Sequence, residues 1–231
     1  MNNVYLAIGA HVGDAELTAG CFLATQALKG DKIVTLALTA GERGNPPNLS
    51  VKEYAQQKRL EANKFAQLLK GEALVFDYED GLLPDNLEVR LKVAEVIRKY
   101  RPKIIFTHWK NSMHKDHELT HRIVKDASFF ANIDLGDKLS GKRHFAPLYF
   151  SENWEDEDGF KPYIYLKCSK EGFQLWQKAL KEHWFVCHSK SFNYFDYYTH
   201  LSYVRGALAR VEHAEAFALL DYQKKRVIDE L

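Results

Sequence analysis

Four short apolar runs punctuate the first half of the chain: Val4–Ile8, Lys32–Leu38, Ala73–Phe76 and Lys103–Thr107. Each is too short for a helix and apolar at nearly every position, as a strand buried on both faces requires. Between them the period changes to that of a helix. From about Glu16 to Lys29, Leu17, Cys21, Leu23, Ala24, Ala27 and Leu28 form an apolar stripe, and Gly30 suits its stop. Ser50-Val51-Lys52-Glu53 has the form of a capping box opening a helix to Lys70, closed by Gly71. Asp85-Asn86-Leu87-Glu88 opens a third helix, to Tyr100. Strand and helix thus alternate, which predicts a Rossmann-like α/β fold: a mostly parallel sheet with right-handed crossovers, flanked by helices in three layers.

The later pattern is less regular. A helix is expected from Asp116 to about Phe130, and strands at Pro147–Phe150 and Tyr163–Leu166. Helices are expected again over Lys170 to about Trp184 and Tyr197 to about Leu220. With no repeat or linker, the reading is a single domain over 1–231 with a helical, aromatic-rich C-terminal region. Its aromatics, among them Trp154, Trp176, Trp184, Phe185 and Tyr194, suit packing first, and a sugar-stacking wall or a homo-oligomer interface second.

Composition narrows the partners. A chain of 231 residues, 46% hydrophobic, can bury a substantial core. A net charge of +1 with both signs scattered gives no support for nucleic acid or a membrane as main partner. The first residues, Met1-Asn2-Asn3, lack a basic n-region, so no signal peptide is expected. Cys21, Cys168 and Cys187 are odd in number and far apart, which points to a reduced, cytoplasmic protein.

The candidate chemistry lies after two of the predicted strands. His11-Val12-Gly13-Asp14 follows the first, and His114-Lys115-Asp116-His117 the fourth. Parallel strands would bring both to the C-terminal edge of the sheet, where open α/β folds bind ligands. Imidazole and carboxylate are ligands that suit zinc. Taken singly, each stretch is equally well a hydrogen-bonded or helix-capping group. His117 and His121, four apart, could also form a ligand pair on one helix face. Their convergence after parallel strands favours a metal.

In this order the motifs resemble the LmbE-like, or PIG-L, family of zinc-dependent N-deacetylases. The family's A-H-P-D-D-x-E-L reads here Ala10-His11-Val12-Gly13-Asp14-Ala15-Glu16-Leu17, and its T-x-G-E turn reads Thr39-Ala40-Gly41-Glu42. Arg59 and Glu61 on a helix, the Asp80-Gly81 loop, the H-P-D-H signature at His114–His117 and an A-E-x-F element at Ala214–Phe217 follow in the same order. The resemblance implies Zn2+ held by His11, Asp14 and His117. It implies His114 as a cationic group stabilising the oxyanion or protonating the leaving amine, Asp116 orienting a histidine, and Arg59 and Asp80 on substrate hydroxyls. The substrate class it implies is an N-acylated amino sugar or related amide.

One departure matters. In the family the first Asp of the D-D pair is the general base, and here that position is Gly13. Loss of a general base commonly costs about 10²–10⁴-fold in rate. Glu42, Glu16 or His114 could substitute, with Glu42, at the end of the neighbouring strand, the best placed. Zinc alone could suffice for an easier substrate. Alternatively, the chain is a metal- or sugar-binding relative that has lost deacetylation. A dinucleotide-binding domain is the weakest reading, because no strand is followed by G-x-G-x-x-G.

Overall fold

The computed structural model describes residues 2–225. Met1 and the last six residues of the domain read over 1–231 lie outside them. The strands are β1 (Val4–Gly9), β2 (Lys32–Thr39), β3 (Glu72–Tyr78), β4 (Ile104–Thr107), β5 (Leu148–Ser151), β6 (Ile164–Cys168) and β7 (His213–Ala218). The helices are α1 (Asp14–Thr18), α2 (Gly20–Leu28), α3 (Val51–Leu68), α4 (Leu87–Tyr100), α5 (Lys115–Asn132), α6 (Lys170–Leu180), α7 (Trp184–His188) and α8 (Tyr194–Leu208).

The strands form one sheet in the order β3-β2-β1-β4-β5-β7-β6. The first five pair in parallel, and β7 runs antiparallel between β5 and β6. The chain winds outward from β1 to β3, then returns to place β4 on the other side of β1. That reversal opens a crevice at the C-terminal ends of β1 and β4.

Side chains alternate across the pleat. Leu6 and Ile8 of β1 face α4 and α5, in a cluster with Val93, Ile97, Ile123 and Val124. Tyr5 and Ala7 face the opposite layer, packing with Leu23 of α2, Phe65 of α3 and Trp176 of α6. Burying each such large apolar side chain stabilises the fold by about 1.5–3 kcal/mol. The expected three-layer, mostly parallel α/β architecture is present.

Three expectations need correction. The helix expected over Tyr197–Leu220 ends at Leu208, and His213–Ala218 is strand β7. Arg210, with φ 58, turns the chain back in a left-handed conformation that no glycine or proline signals. The Ala- and Glu-rich stretch that follows favours helix locally, but its place between two strands overrides that preference. The helix expected over Lys170–Trp184 stops at Leu180 and a separate short helix, α7, begins at Trp184.

The helix expected from Glu16 to Lys29 is broken at Ala19 (φ −132°, ψ −1°), between α1 and α2. The break gives α2 its own N-terminus, whose orphan amides need a partner. Glu215 of β7 supplies it: its carboxylate accepts from the N–H groups of Cys21 (2.9 Å) and Phe22 (2.8 Å). The Ala214–Phe217 element therefore caps a helix from inside the core. Gly20 is needed at the start of α2, where a Cβ would lie 2.6 Å from the indole of Trp176.

Burial raises the Glu215 pKa to about 7, against the two amides that favour its charged form. A carboxyl whose pKa is raised on folding binds protons more tightly in the native state. Stability therefore falls as pH rises from about 4.5 to about 7, by roughly 3 kcal/mol for a shift of this size. Glu215→Gln is expected to flatten the rise of stability toward acid by about that amount. Urea unfolding at pH 5 and pH 8 measures it.

Candidate metal centre and cavity

Both loops named by the sequence meet at the crevice. β1 delivers His11 and Asp14, while β4 delivers His108 and the turn leading to α5, on whose first turn His117 lies. His11 Nδ1 is 3.3 Å from Asp14 Oδ2 and 3.3 Å from His117 Nε2, and the third side, His117 Nε2 to Asp14 Oδ2, is 3.5 Å. Tetrahedral coordination with bonds of about 2.0–2.1 Å sets ligand atoms about 3.3–3.4 Å apart. The three atoms thus form one face of a tetrahedron of the right size for a divalent metal, and the residues fit the ion. Overlapping sets share these residues: His11–His114–His117, Asp14–His108–His117 and His11–Asp80–Asp116, the ligand atoms of each within 4.8 Å of one another.

Each corner is held from behind. His117 Nδ1 donates to Asp156 Oδ1 at 2.9 Å, which leaves Nε2 with its lone pair toward the other two corners. The other oxygen of Asp156 accepts from His108 Nδ1 at 2.8 Å. His108 Nε2 in turn lies 3.1 Å from Asp14 Oδ2, which also accepts the His11 backbone N–H at 2.8 Å. Asp156 is fully buried. Burial alone would raise its pKa, but the charge of His108 and the bonds from both imidazoles hold it at about 2.

The third corner is backed by the β3 loop. His11 Nε2 is 3.1 Å from Asp80 Oδ1 and 3.6 Å from Asp116 Oδ2, as charge contacts rather than aligned hydrogen bonds. Asp80, expected on a substrate hydroxyl, backs His11 and also lines the cavity. Asp116 accepts the Gly81 N–H at 2.7 Å and so ties the loop to α5. The fully aligned histidine–carboxylate bond belongs to Asp156, which sits in an acidic run, Glu155 to Asp158, with no motif to mark it.

His114 is the N-cap of α5, and its Nδ1 accepts the Asp116 N–H at 3.2 Å. A ring that accepts at Nδ1 carries its proton on Nε2 and is neutral. Burial, with His11 and His117 alongside, lowers its pKa below the ordinary value. The geometry therefore makes His114 a neutral hydrogen-bond donor, not the cation the resemblance implied. His121 is drawn away from His117 by the carbonyl of His108, 3.0 Å from its Nδ1. Arg59 does not line the cavity: its guanidinium donates to the carbonyls of Val75 and Phe76 and pairs with Asp77. Glu42 Oε1 accepts the Asp80 N–H at 2.8 Å, while its Oε2 is buried without a partner. Glu16 Oε2 accepts the Gly13 N–H at 3.0 Å, turned away from the triangle.

A cavity of about 1020 Å³ opens above the triangle. Its walls include Arg43, Lys58, Asp80, His114, Glu155 and the aromatics Tyr54, Trp154, Trp184, Phe185 and Tyr194. Among these walls, Glu155 and Lys58 escaped the sequence reading. The Glu155 carboxylate is 3.7 Å from His117 Nε2, with its pKa raised by burial and by Asp14.

The space over Gly13 is filled. Gly13 has φ +112°, and a Cβ there would lie 2.4 Å from Cζ of Phe185 on α7. Backbone and ring both reject a side chain at this position. The ring thus occupies the place where a side chain at position 13, the first Asp of the pair in the resemblance, would have to stand, and a glycine at 13 with a ring at 185 is one arrangement.

The sheet order and this site define a Rossmann-like α/β protein with a His/Asp metal-type centre at the switch point. A family model described as GlcNAc-PI de-N-acetylase, PIG-L, matches residues 6–128, more than half the chain, and the chain belongs to that family. It is 24% identical over 216 residues to a 4-oxalmesaconate hydratase of Pseudomonas putida, covering 89% of this chain and 80% of the relative. Its fold matches the 4-carboxy-2-hydroxymuconate hydratase of Pseudomonas putida with a TM-score of 0.86 and 22% identity, over 99% of both chains. It also matches the N,N'-diacetylchitobiose deacetylase of Pyrococcus horikoshii with a TM-score of 0.80 and 20% identity, over 94% of this chain and 84% of that one. Relatives of this chain therefore include both deacetylases and hydratases.

Two outcomes follow from the geometry. Asp156→Asn is expected to lower divalent-metal affinity about 10- to 100-fold, read by chelator competition, because the outer carboxylate fixes the His117 ring. Gly13→Ala is expected to cost about 1–3 kcal/mol in urea unfolding. Adding Phe185→Ala should recover the steric part and leave the backbone strain.

Proposed function

We propose that the protein is a zinc-dependent enzyme that sets water against a small carbonyl-bearing substrate in this cavity. The observation that carries the reading is the His11–Asp14–His117 triangle, sized for a tetrahedral ion with its open side toward the cavity. Bound there, zinc would supply a water of lowered pKa and polarise a carbonyl oxygen. The neutral His114 ring would donate a hydrogen bond to that oxygen as charge develops on it. Glu155, in the cavity wall, would take one proton from the attacking water and return it to the product.

Of the reactions this arrangement supports, addition of water to a double bond conjugated to a carbonyl fits best. The water oxygen joins one carbon and its proton the other, so no amine has to be expelled. The observation favouring it is Phe185 over Gly13, where amide hydrolysis in the family's manner would want a carboxylate. The similarity to two hydratases supports it. The second reading is removal of an N-acyl group from an amino sugar. It is supported by the similarity to a diacetylchitobiose deacetylase.

A panel of unsaturated oxo acids and N-acetyl amino sugars, assayed with zinc and with chelator, separates the two. Chelator-sensitive hydration with no acetate release is the expected result. Acetate release from an amino sugar would establish the second reading, and failure to bind zinc would sink both. Glu155→Gln is expected to reduce turnover about 10²–10⁴-fold. If Glu42→Gln has that effect and Glu155→Gln does not, the unpartnered Glu42 oxygen is the proton carrier.

A further inference from the structure

Lys58 is out of place by any structural standard. It lies on the buried stripe of α3, among Tyr54, Glu61, Ala62 and Phe65, and is only 4% exposed. Its Nζ donates to the Val12 carbonyl at 2.6 Å. An ammonium carries three protons, so this single bond leaves two to be satisfied. Among the described residues no carboxylate comes within 4.0 Å of it; burial lowers its pKa to about 8, against Glu61, Asp14, Glu16 and Asp80, which favour the charged form. Its nearest charge-compensating neighbour is the face of Phe185, with the ring centroid 3.9 Å away. Burying a charge without a full set of partners is costly, and such groups usually mark a site where a partner arrives.

The small exposed part of Lys58 lies in the cavity wall. Through Val12 it is fixed to the backbone of the metal loop, one residue from His11. Gly41 makes room for His11 beside it: a Cβ there would lie 2.9 Å from Cβ of His11, while Cε of Lys58 would stay at an ordinary contact distance of 3.6 Å. A cation with two free protons, half-covered by an aromatic ring and next to the reacting centre, recognises an anion with at least two oxygens.

We infer that Lys58 anchors a carboxylate of the substrate beside the His11–Asp14–His117 centre. This rests on the reading of the cavity as the substrate site and adds to it the chemical class of the molecule: a small carboxylic acid, not a neutral sugar amide. Lys58 puts one ammonium on the flank of the metal loop, with the face of Phe185 against it.

Succinate and the uncharged succinamide serve as probes, titrated calorimetrically into the zinc-free and the zinc-loaded protein. Succinate is expected to bind the wild type in both forms. Lys58→Met and Lys58→Gln should each weaken it at least tenfold in the zinc-free protein. Succinamide should bind more weakly and be indifferent to the substitution. Both variants should bind zinc normally and melt no lower than wild type, since each removes an incompletely partnered buried charge. Unchanged succinate affinity in the two variants, or succinamide binding as tightly as succinate, would overturn the inference. A fall in melting temperature in both variants would also overturn it, making Lys58 a brace for the Val12 carbonyl. Failure of the reading beneath it is separate: that would show as absent zinc binding or absent turnover in wild type, whatever Lys58 does to succinate.

Discussion

The site depends on one pairing, the parallel ladder between β1 and β4 (Tyr5↔Ile104, Leu6↔Ile105, Ala7↔Phe106). It joins two strands about a hundred residues apart at the middle of the sheet, where the winding direction reverses. Their ends then open side by side, and the loops that follow have no other element between them. His11 and Asp14 come from one loop, His108 and His117 from beyond the other. A one-residue slip in this register would turn every inward residue of β4 outward, so the core and the site are fixed by the same constraint.

Behind that constraint lies a buried polar frame. Asp156 joins His117 to His108, His108 reaches Asp14, and Asp80 backs His11. Each corner of the triangle is thus oriented by a group that does not belong to it. Such a frame holds donor atoms close together at a distance where imidazoles and carboxylates would otherwise choose solvent. Opposite it, Gly13, Phe185 and Lys58 form a second unit: a bare backbone, a ring laid against it and an ammonium under the ring. The departure at Gly13 is therefore not an isolated loss. Helix α7, from the C-terminal third, places a ring in the space that a side chain at 13 would need.

Much of this was legible in the chain. The apolar runs and the helical stripes between them gave the parallel sheet and most of the helices, because both periods come from burial that sequence records directly. The Ser50–Glu53 capping box is formed as read. His11, Asp14 and His117 are brought together, and His114 lies beside them. Where the reading failed, a distant residue decided. Glu215 breaks the first long helix by capping from another strand. Neighbouring strands claim His213–Ala218 against its helical composition. The Val75 and Phe76 carbonyls draw Arg59 away from the cavity.

What the sequence determined by itself was the alternation of elements, the positions of the ligand types after strands, and the glycine where a carboxylate was expected. These are local facts, set by the order of side chains along the backbone. Only the tertiary structure decided what surrounds them: Asp156 as the clamp, Glu155 and Lys58 in the wall, a neutral His114, and Phe185 over Gly13. Apart from the local cap at His114, those contacts join residues distant in the chain: His117 and Asp156 are 39 positions apart, and Gly13 and Phe185 more than 170. Nothing in the neighbouring residues encodes them, because they arise when the layers close and each buried polar or apolar group takes the partner within reach.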